Sequence, residues 1–248
     1  MGVEVATQAH PGRPIAGPRT AAHLEKLFVR DARLGVRFDD PGTPVLVSHV
    51  VPLGLVRIPS GRLVVGSPWA GEEWIELGER IPPGSYQMEI SWVRAPYEFM
   101  GEPLEGAECS GGRMTILDDP VDRWEAALGI DQQVGQNPMG CFPGFWGESA
   151  QVAFSDAASW SILAEFFRHS YEESMEGRIE SGTLSAEMIG SSAHVVREEG
   201  SRADLIAFPG DDMHTVVWLG RTLAGDVASV IIAPRLIAMD SNFPQPLE

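Results

Sequence analysis

Residues 45–69 read VLVSHVVPLGLVRIPSGRLVVGSPW, short aliphatic runs repeatedly broken by proline and glycine. Runs of this length rich in β-branched residues favour strands, and Pro59-Ser60-Gly61 separates LGLVRI from RLVVGS as the tight connection of a hairpin does. Residues 80–93, RIPPGSYQMEISWV, repeat the logic, with Pro82, Pro83 and Gly84 as the turn and Tyr86, Met88 and Ile90 alternating onto one face. Two turn-and-strand units in succession predict an antiparallel sheet. Downstream, GGRMTIL (111–117) adds a strand. ADLIAFPGDD (203–212), MHTVVWLG (213–220) and GDVASVIIAPRLIA (225–238) alternate again, with turns at Gly210–Asp212 and Leu223–Asp226.

Helical patterns are fewer. TAAHLEKLFVRDARLG (20–35) predicts a short helix with Thr20 as N-cap and Leu24, Leu27 and Phe28 as its apolar positions. DDPVDRWEAALGI (118–130) predicts another, with Trp124 and Leu128 one turn apart and Asp118 and Asp119 capping it. DAASWSILAEFFRHSYEESMEGRI (156–179) predicts the best helix of the chain: Asp156 is the N-cap, Ile162, Leu163, Phe166 and Phe167 form the stripe, and the glutamate-rich end is solvated. The class is therefore α+β, predominantly antiparallel sheet with two or three short helices in one main domain. Residues 1–44 form a proline- and glycine-rich arm and the short helix, 45–240 the domain, and 241–248 a tail.

The 248 residues, 44% apolar and 21% charged, suffice for a large core without disulfide or metal. Neither a long apolar span nor a signal-peptide succession is present, which predicts a cytoplasmic protein with no membrane partner. Cys109 and Cys141 lack CxxC spacing and read as reduced thiols. The net charge of −17 is uneven: through Arg62 there are eight basic and five acidic residues, and beyond it ten basic and thirty acidic. A body of net charge −20 repels phosphate backbones, which excludes nucleic acid and favours a basic protein partner.

FPGDDMHTVVWLG (208–220) holds the densest polar cluster. On a strand Asp212 and His214 share one face and Asp211 takes the other, so the first two suit an oriented general base, or else the cluster is simply a hairpin turn. No HxH, HxxxH or ExxH pattern completes a metal site, and no GxSxG, Walker loop or GxGxxG stands in the chain, so no metal and no cofactor are expected. His23 and His49 have no visible partners, His169 reads as an exposed residue of a helix beside Tyr171, and Lys26 is an unpromising Schiff-base candidate on a surface helix. VGQNPMGCFPGFWGESA (134–150) is a long loop without a period, and loops of that length commonly line or cover a site. Because Pro143 and Gly144 interrupt its backbone, Phe142, Phe145 and Trp146 should not all enter one core layer, and at least one should stay partly exposed beside a concavity.

The succession IPSGRLVVGSP (58–68), RIPPGSYQMEI (80–90), MTILDDPVDRWEAAL (114–128), AQVAFSDAASW (150–160) and a closing Phe, Gly-Asp, strand, glycine turn, strand resembles the bacterial domain of unknown function DUF4241 over roughly residues 45–235. The proline-glycine turn before Tyr86 and the Arg123-Trp124 pair are the more specific parts. The family pattern implies Asp-Pro where this chain has Ser67-Pro68, and Val-Asp-Ala-Gly where it has Gly147-Glu148-Ser149-Ala150. It implies a second glycine where Asp212 stands, and Asp-Phe where Ala233-Pro234 stand. Loss of these acids implies that any activity carried by them is absent or changed here.

Two functional readings follow. In the first, the acidic protein acts by complex formation, as an accessory subunit of an enzyme or an immunity-type inhibitor, with Trp69, Trp74 and Trp146 as anchors. In the second, it is a metal-independent enzyme acting on a small metabolite where the aromatic loop meets the final hairpin. There His214 is the acid or base, Asp212 orients it, Arg94 or Arg123 holds an anionic group, and Phe145 and Trp146 line the site.

Overall fold

The computed structural model describes residues 13–37, 44–71, 73–94, 97–99, 102–104, 106–133, 143–147, 149–190, 193–210, 214–233 and 237–238. Along the chain run α1 (Pro18–Lys26), β1 (Arg33–Arg37), β2 (Pro44–Ile58), β3 (Arg62–Gly66), β4 (Trp74–Arg80) and β5 (Gly84–Arg94). A small ribbon, β6 (Tyr97–Phe99) and β7 (Glu102–Leu104), precedes β8 (Ala107–Thr115), β9 (Arg123–Ala126), β10 (Phe145–Trp146) and β11 (Gln151–Asp156). The rest comprises α2 (Trp160–Ser174), β12 (Ile179–Ser181), β13 (Leu184–Ile189), β14 (Ala193–Glu198), β15 (Ala203–Pro209), β16 (His214–Arg221), β17 (Val227–Ala233) and β18 (Ile237–Ala238).

Two antiparallel sheets result, and the α+β expectation of one main domain holds. One has nine strands in the order β10-β16-β17-β8-β5-β2-β1-β18, with β9 also on β16, and the other seven in the order β12-β13-β14-β15-β11-β3-β4. Alternation explains the layering. Val56, Ile58, Met88, Ile90, Leu219 and Ile232 of the first sheet meet Val65, Phe154, Ile206 and Phe208 of the second in one buried core. On the outer face of the first sheet, Leu24 of α1 and Leu27 and Phe28 just beyond it pack with Trp124 and Trp218. On the outer face of the second, Leu163 and Phe167 of α2 pack with Val64, Val196 and Leu205. The layers therefore run helix, sheet, sheet, helix. Gly112 makes the central contact close, because a Cβ there would lie 2.3 Å from the ring of Phe208.

The alternation of Tyr86, Met88 and Ile90 into the core is as the sequence predicts. The hairpin at 59–61 is not. β2 pairs with β1 and β5, whereas β3 pairs with β11 and β4, so Pro59-Ser60-Gly61 is a corner from one sheet to the other. Residues 81–83 form a second such corner, between β4 and β5. The corners clasp each other: Ile81 N–H donates to the Gly61 carbonyl, and Gly61 sits at φ +66 with no room for a side chain. The predicted hairpin through Gly210–Asp212 is likewise corrected, since β15 pairs with β14 and β11 while β16 pairs with β17, β9 and β10. A run of apolar residues with a turn in its middle looks the same whether the chain doubles back or changes sheet. The turn at 223–226 is the hairpin expected, closed by Thr222 N–H to the Asp226 carbonyl.

The helix predicted at 118–130 is a strand. Arg123–Ala126 pair with Arg221–Trp218 of β16, which puts Trp124 and Ala126 on one face and sends Glu125 to the other. Tertiary pairing outweighs a single i, i+4 contact, and Asp118 and Asp119 are exposed turn residues rather than caps. Two other caps move. Gly17 precedes α1 with Pro18 in its first turn, and Ser159 precedes α2. Asp156 is fully buried and accepts hydrogen bonds from Ser60 N–H at 2.8 Å and Ala158 N–H at 2.9 Å, pinning the β2–β3 corner. In α2, Trp160, Leu163, Ala164 and Phe167 are buried and Ile162 is exposed. No described helix is long and apolar enough to cross a membrane.

Candidate functional site

The ends of β3, β11 and β15 lie together, since Gly66 pairs with Ala153 and Gln151 with Pro209. β10 brings the aromatic loop to the first strand residues of the other sheet, pairing Phe145 with Thr215 and Trp146 with His214. A hydrogen bond ties the two sheets here: the Glu73 carboxylate accepts the Trp146 N–H at 2.8 Å. That places Trp74 and Trp146, 49% and 40% exposed, at the same end of the sandwich. Phe145 is its foil. Alternation turns it inward, and it is 0% exposed in the central core. The loop thus divides as its broken backbone requires, one ring anchoring it and the next left open. Phe142 lies outside the described residues.

Two positions at which the resemblance implies other residues, Ser67 and Ala150, lie at this end. Ser67, fully buried, shares a hydrogen bond with Ser149 at 3.1 Å, and its Oγ also accepts the Trp69 N–H. Ala150, where the pattern has glycine, has φ +53, and its carbonyl accepts the Gly210 N–H at 2.7 Å. The left-handed backbone there favours glycine and leaves a strained alanine.

Trp69 is already committed. Its indole N–H donates to Gln151 at 3.0 Å, its ring stands edge-on to Phe167 and Tyr171, and the Gln151 amide in turn donates to the Tyr171 hydroxyl at 2.8 Å. The chain of contacts continues inward to His194, stacked on Tyr171 at 4.4 Å with Nδ1 3.1 Å from the Ser174 hydroxyl. Burial holds this imidazole below its ordinary pKa of 6.5. No periodicity in the sequence marked His194, because a histidine facing the strand-buried side of a helix looks like any other polar break. Trp74 is freer, its ring 5.8 Å from Trp160.

The other candidates are dispersed. Asp211 and Asp212 lie outside the described residues, as does the side chain of His214. Arg123 pairs with Arg221, seven residue steps and roughly 23 Å along β16 from His214, and its nearest carboxylate is Glu125 at 4.0 Å. Arg94 is exposed on β5, between Leu46 and Ala107, three strands across the sheet from β16. The anion-holding roles given to these arginines therefore find no common centre with His214. Cys109 is buried, and burial pushes its thiol up to about 12, which makes it inert as a nucleophile. A concavity of about 680 Å³ opens at the far end of β16, among Asp119, Asp122, Leu223 and Asp226. Among the described residues no group of three or more metal-ligating side chains comes together. His23 and His169 bond the carbonyls of Leu34 and Glu165, and His49 stacks on Trp92, all local contacts.

That far end holds a feature with no local trace in the sequence. Arg13, Glu79, Glu125 and Arg221 form a buried charge cluster. Arg13 Nη1 lies 2.7 Å from Glu79 and 2.9 Å from Glu125, and Arg221 Nη2 lies 2.7 Å from each glutamate. Burial would raise the Glu125 pKa, but hydrogen bonds from Arg221 and Arg13 prevail and hold it below its ordinary value. The four residues come from separate segments of the chain, so no local motif could announce them.

Residues 56–232 match the family described as protein of unknown function (DUF4241). This chain belongs to the DUF4241 family. The match begins within β2 and ends within β17, so it spans both sheets of the sandwich. No curated protein sequence and no solved structure matches the chain.

Proposed function

We propose that this DUF4241 member acts by forming a complex with another protein, which it docks at the end of the sandwich carrying Trp74 and Trp146. The observation that carries the reading is the pairing of two half-exposed tryptophans, tied through Glu73 and backed by the buried ring of Phe145. Large rings held by a rigid sheet edge supply contact area at little cost in conformational entropy, which is why tryptophan is common at interface hot spots. The neutral Ser67–Ser149 contact, where the family pattern has an acid, suits recognition better than acid-base chemistry. Trp69 supports the surface from below. The acidic body favours a basic partner and a fast, salt-sensitive encounter. In a bacterial cytoplasm, this is the role of an enzyme's accessory subunit or of an immunity-type inhibitor.

The test is size exclusion of the purified protein mixed with the products of neighbouring genes, at low and at physiological salt. Co-elution that weakens with Trp146→Ala is the expected result. Separate migration at both salts contradicts the reading.

A further inference from the structure

We infer that the outer edge of β9, together with Glu79, Glu125 and Arg221, is a docking groove for an extended, arginine-bearing segment of a partner protein, and that residues 13–16 of this chain occupy it as an internal competitor. β9 spends one edge on β16. On the other, Ala126 N–H donates to the Pro14 carbonyl at 2.9 Å, Ala16 N–H donates to the Trp124 carbonyl at 2.9 Å, and Ile15 stands opposite Glu125. Residues 13–16 thus bridge a sheet edge in the antiparallel sense, the kind of pairing by which an extended peptide is recognised in trans.

The socket beside that edge requires a cation. Glu79 and Glu125 are two buried carboxylates facing one internal arginine, Arg221, whose guanidinium also reaches the Gly225 carbonyl at 3.0 Å. Arg13, with its side chain only 4% exposed, supplies the second positive charge and brings the cluster to neutrality. A lone buried carboxylate is costly, so the groove is selective for a ligand that carries a guanidinium or ammonium at this position.

The internal occupant is held by its arginine more than by its main chain. Among the described residues two main-chain hydrogen bonds join it to β9, Ile15 is 65% exposed, and the buried Arg13 Nε has no partner. Arg13 to Ala16 also precede the family match, whereas Glu79, Glu125 and Arg221 fall within it, so the groove belongs to the family domain and its occupant to the preceding segment. A foreign occupant is favoured over a second copy by charge: beyond Arg62 the chain carries ten basic and thirty acidic residues, which repels its own kind and attracts a basic partner. The inference rests on the reading of the protein as one that binds a partner, but it concerns a different surface, and its peptide titration involves neither Trp74 nor any partner.

The probe is the capped hexapeptide GRPIAG, residues 12–17 of the chain, titrated by calorimetry and by the NMR shift of the Ala126 amide into the full-length protein. An arm tethered in place competes at millimolar effective concentration, so wild type should bind the peptide at least about tenfold more weakly than the Arg13→Ala chain. The peptide carrying Arg13→Ala should bind neither. The Arg13→Lys chain keeps a cation in the socket and so preserves the fold. It should bind GRPIAG with intermediate affinity, and it decides the matter if Arg13→Ala does not fold. Absence of binding by the folded variants, or equal binding of the two peptides, overturns the groove. A concentration-dependent dimer of Arg13→Ala that GRPIAG dissolves would assign the groove to a second copy and overturn the foreign occupant. Loss of Trp146-dependent co-elution with intact peptide binding would remove the aromatic docking site and leave the groove standing.

Discussion

At its first residues β16 pairs His214 with Trp146, and at its last it pairs Arg221 with Arg123. The two ends are built on opposite principles. The first leaves aromatic area open over a dry core, with its polar groups, Ser67, Ser149 and Gln151, satisfied by neutral hydrogen bonds. The second buries four charges and satisfies them against each other. Strength follows from this difference. Substitution at the open end should change binding more than folding, and at the charged end folding should suffer first.

The contrast is sharpest within the loop itself. Phe145→Ala empties a fully buried site in the central core and should cost about 3–5 kcal/mol, read by chemical denaturation. A loss below about 1 kcal/mol would mean that the loop is not anchored as described. At the charged end, Glu125→Gln leaves Arg13 and Arg221 facing a single carboxylate and should cost about 3 kcal/mol, again by denaturation. Its pH signature has a definite sign. The folded carboxylate lies below its ordinary value of 4.5, so its contribution is present above that value and is lost as pH falls through the folded pKa. The variant's stability should therefore fall less on acidification than wild type's.

His194 tests the support beneath Trp69 in a different pH window. Burial depresses its folded pKa below 6.5, so protonation favours the unfolded chain: stability is full above 6.5 and declines as pH drops below it. His194→Gln should flatten that decline, and an unchanged pH profile would mean that the imidazole is not held neutral. The smallest effect belongs to Ala150. Its φ of +53 costs about 1–2 kcal/mol of strain, while glycine adds about 0.5–1 kcal/mol of unfolded-state entropy. Ala150→Gly should therefore stabilise by roughly 0.5 kcal/mol, seen as a small rise in melting temperature.

Periodicity made the strands legible, because Tyr86, Met88 and Ile90 enter the core by alternation wherever their partners are. It could not show that the turns at 59–61 and 81–83 change sheets, since a corner and a hairpin place the same residue types at the break. The segment 118–130 misled for a related reason. Trp124 and Leu128 carry a helical spacing, and only pairing with β16 makes Arg123–Ala126 extended. At the site, the interruption by Pro143 and Gly144 foretold that the aromatic loop would divide, and Trp146 is its open ring. Arg13, the partner of glutamates far along the chain, sat in a stretch that reads as an arm. Long-range charge pairing leaves no local trace.

Denaturation and partner binding measured on the same Trp146→Ala protein test the central claim most directly. The account predicts a stability loss of about 1–2 kcal/mol, well below that of Phe145→Ala, and an affinity loss of about 2 kcal/mol or more in the partner complex. A stability loss matching that of Phe145→Ala with unchanged affinity for the partner would contradict it, and would make the open end of the sandwich a piece of core.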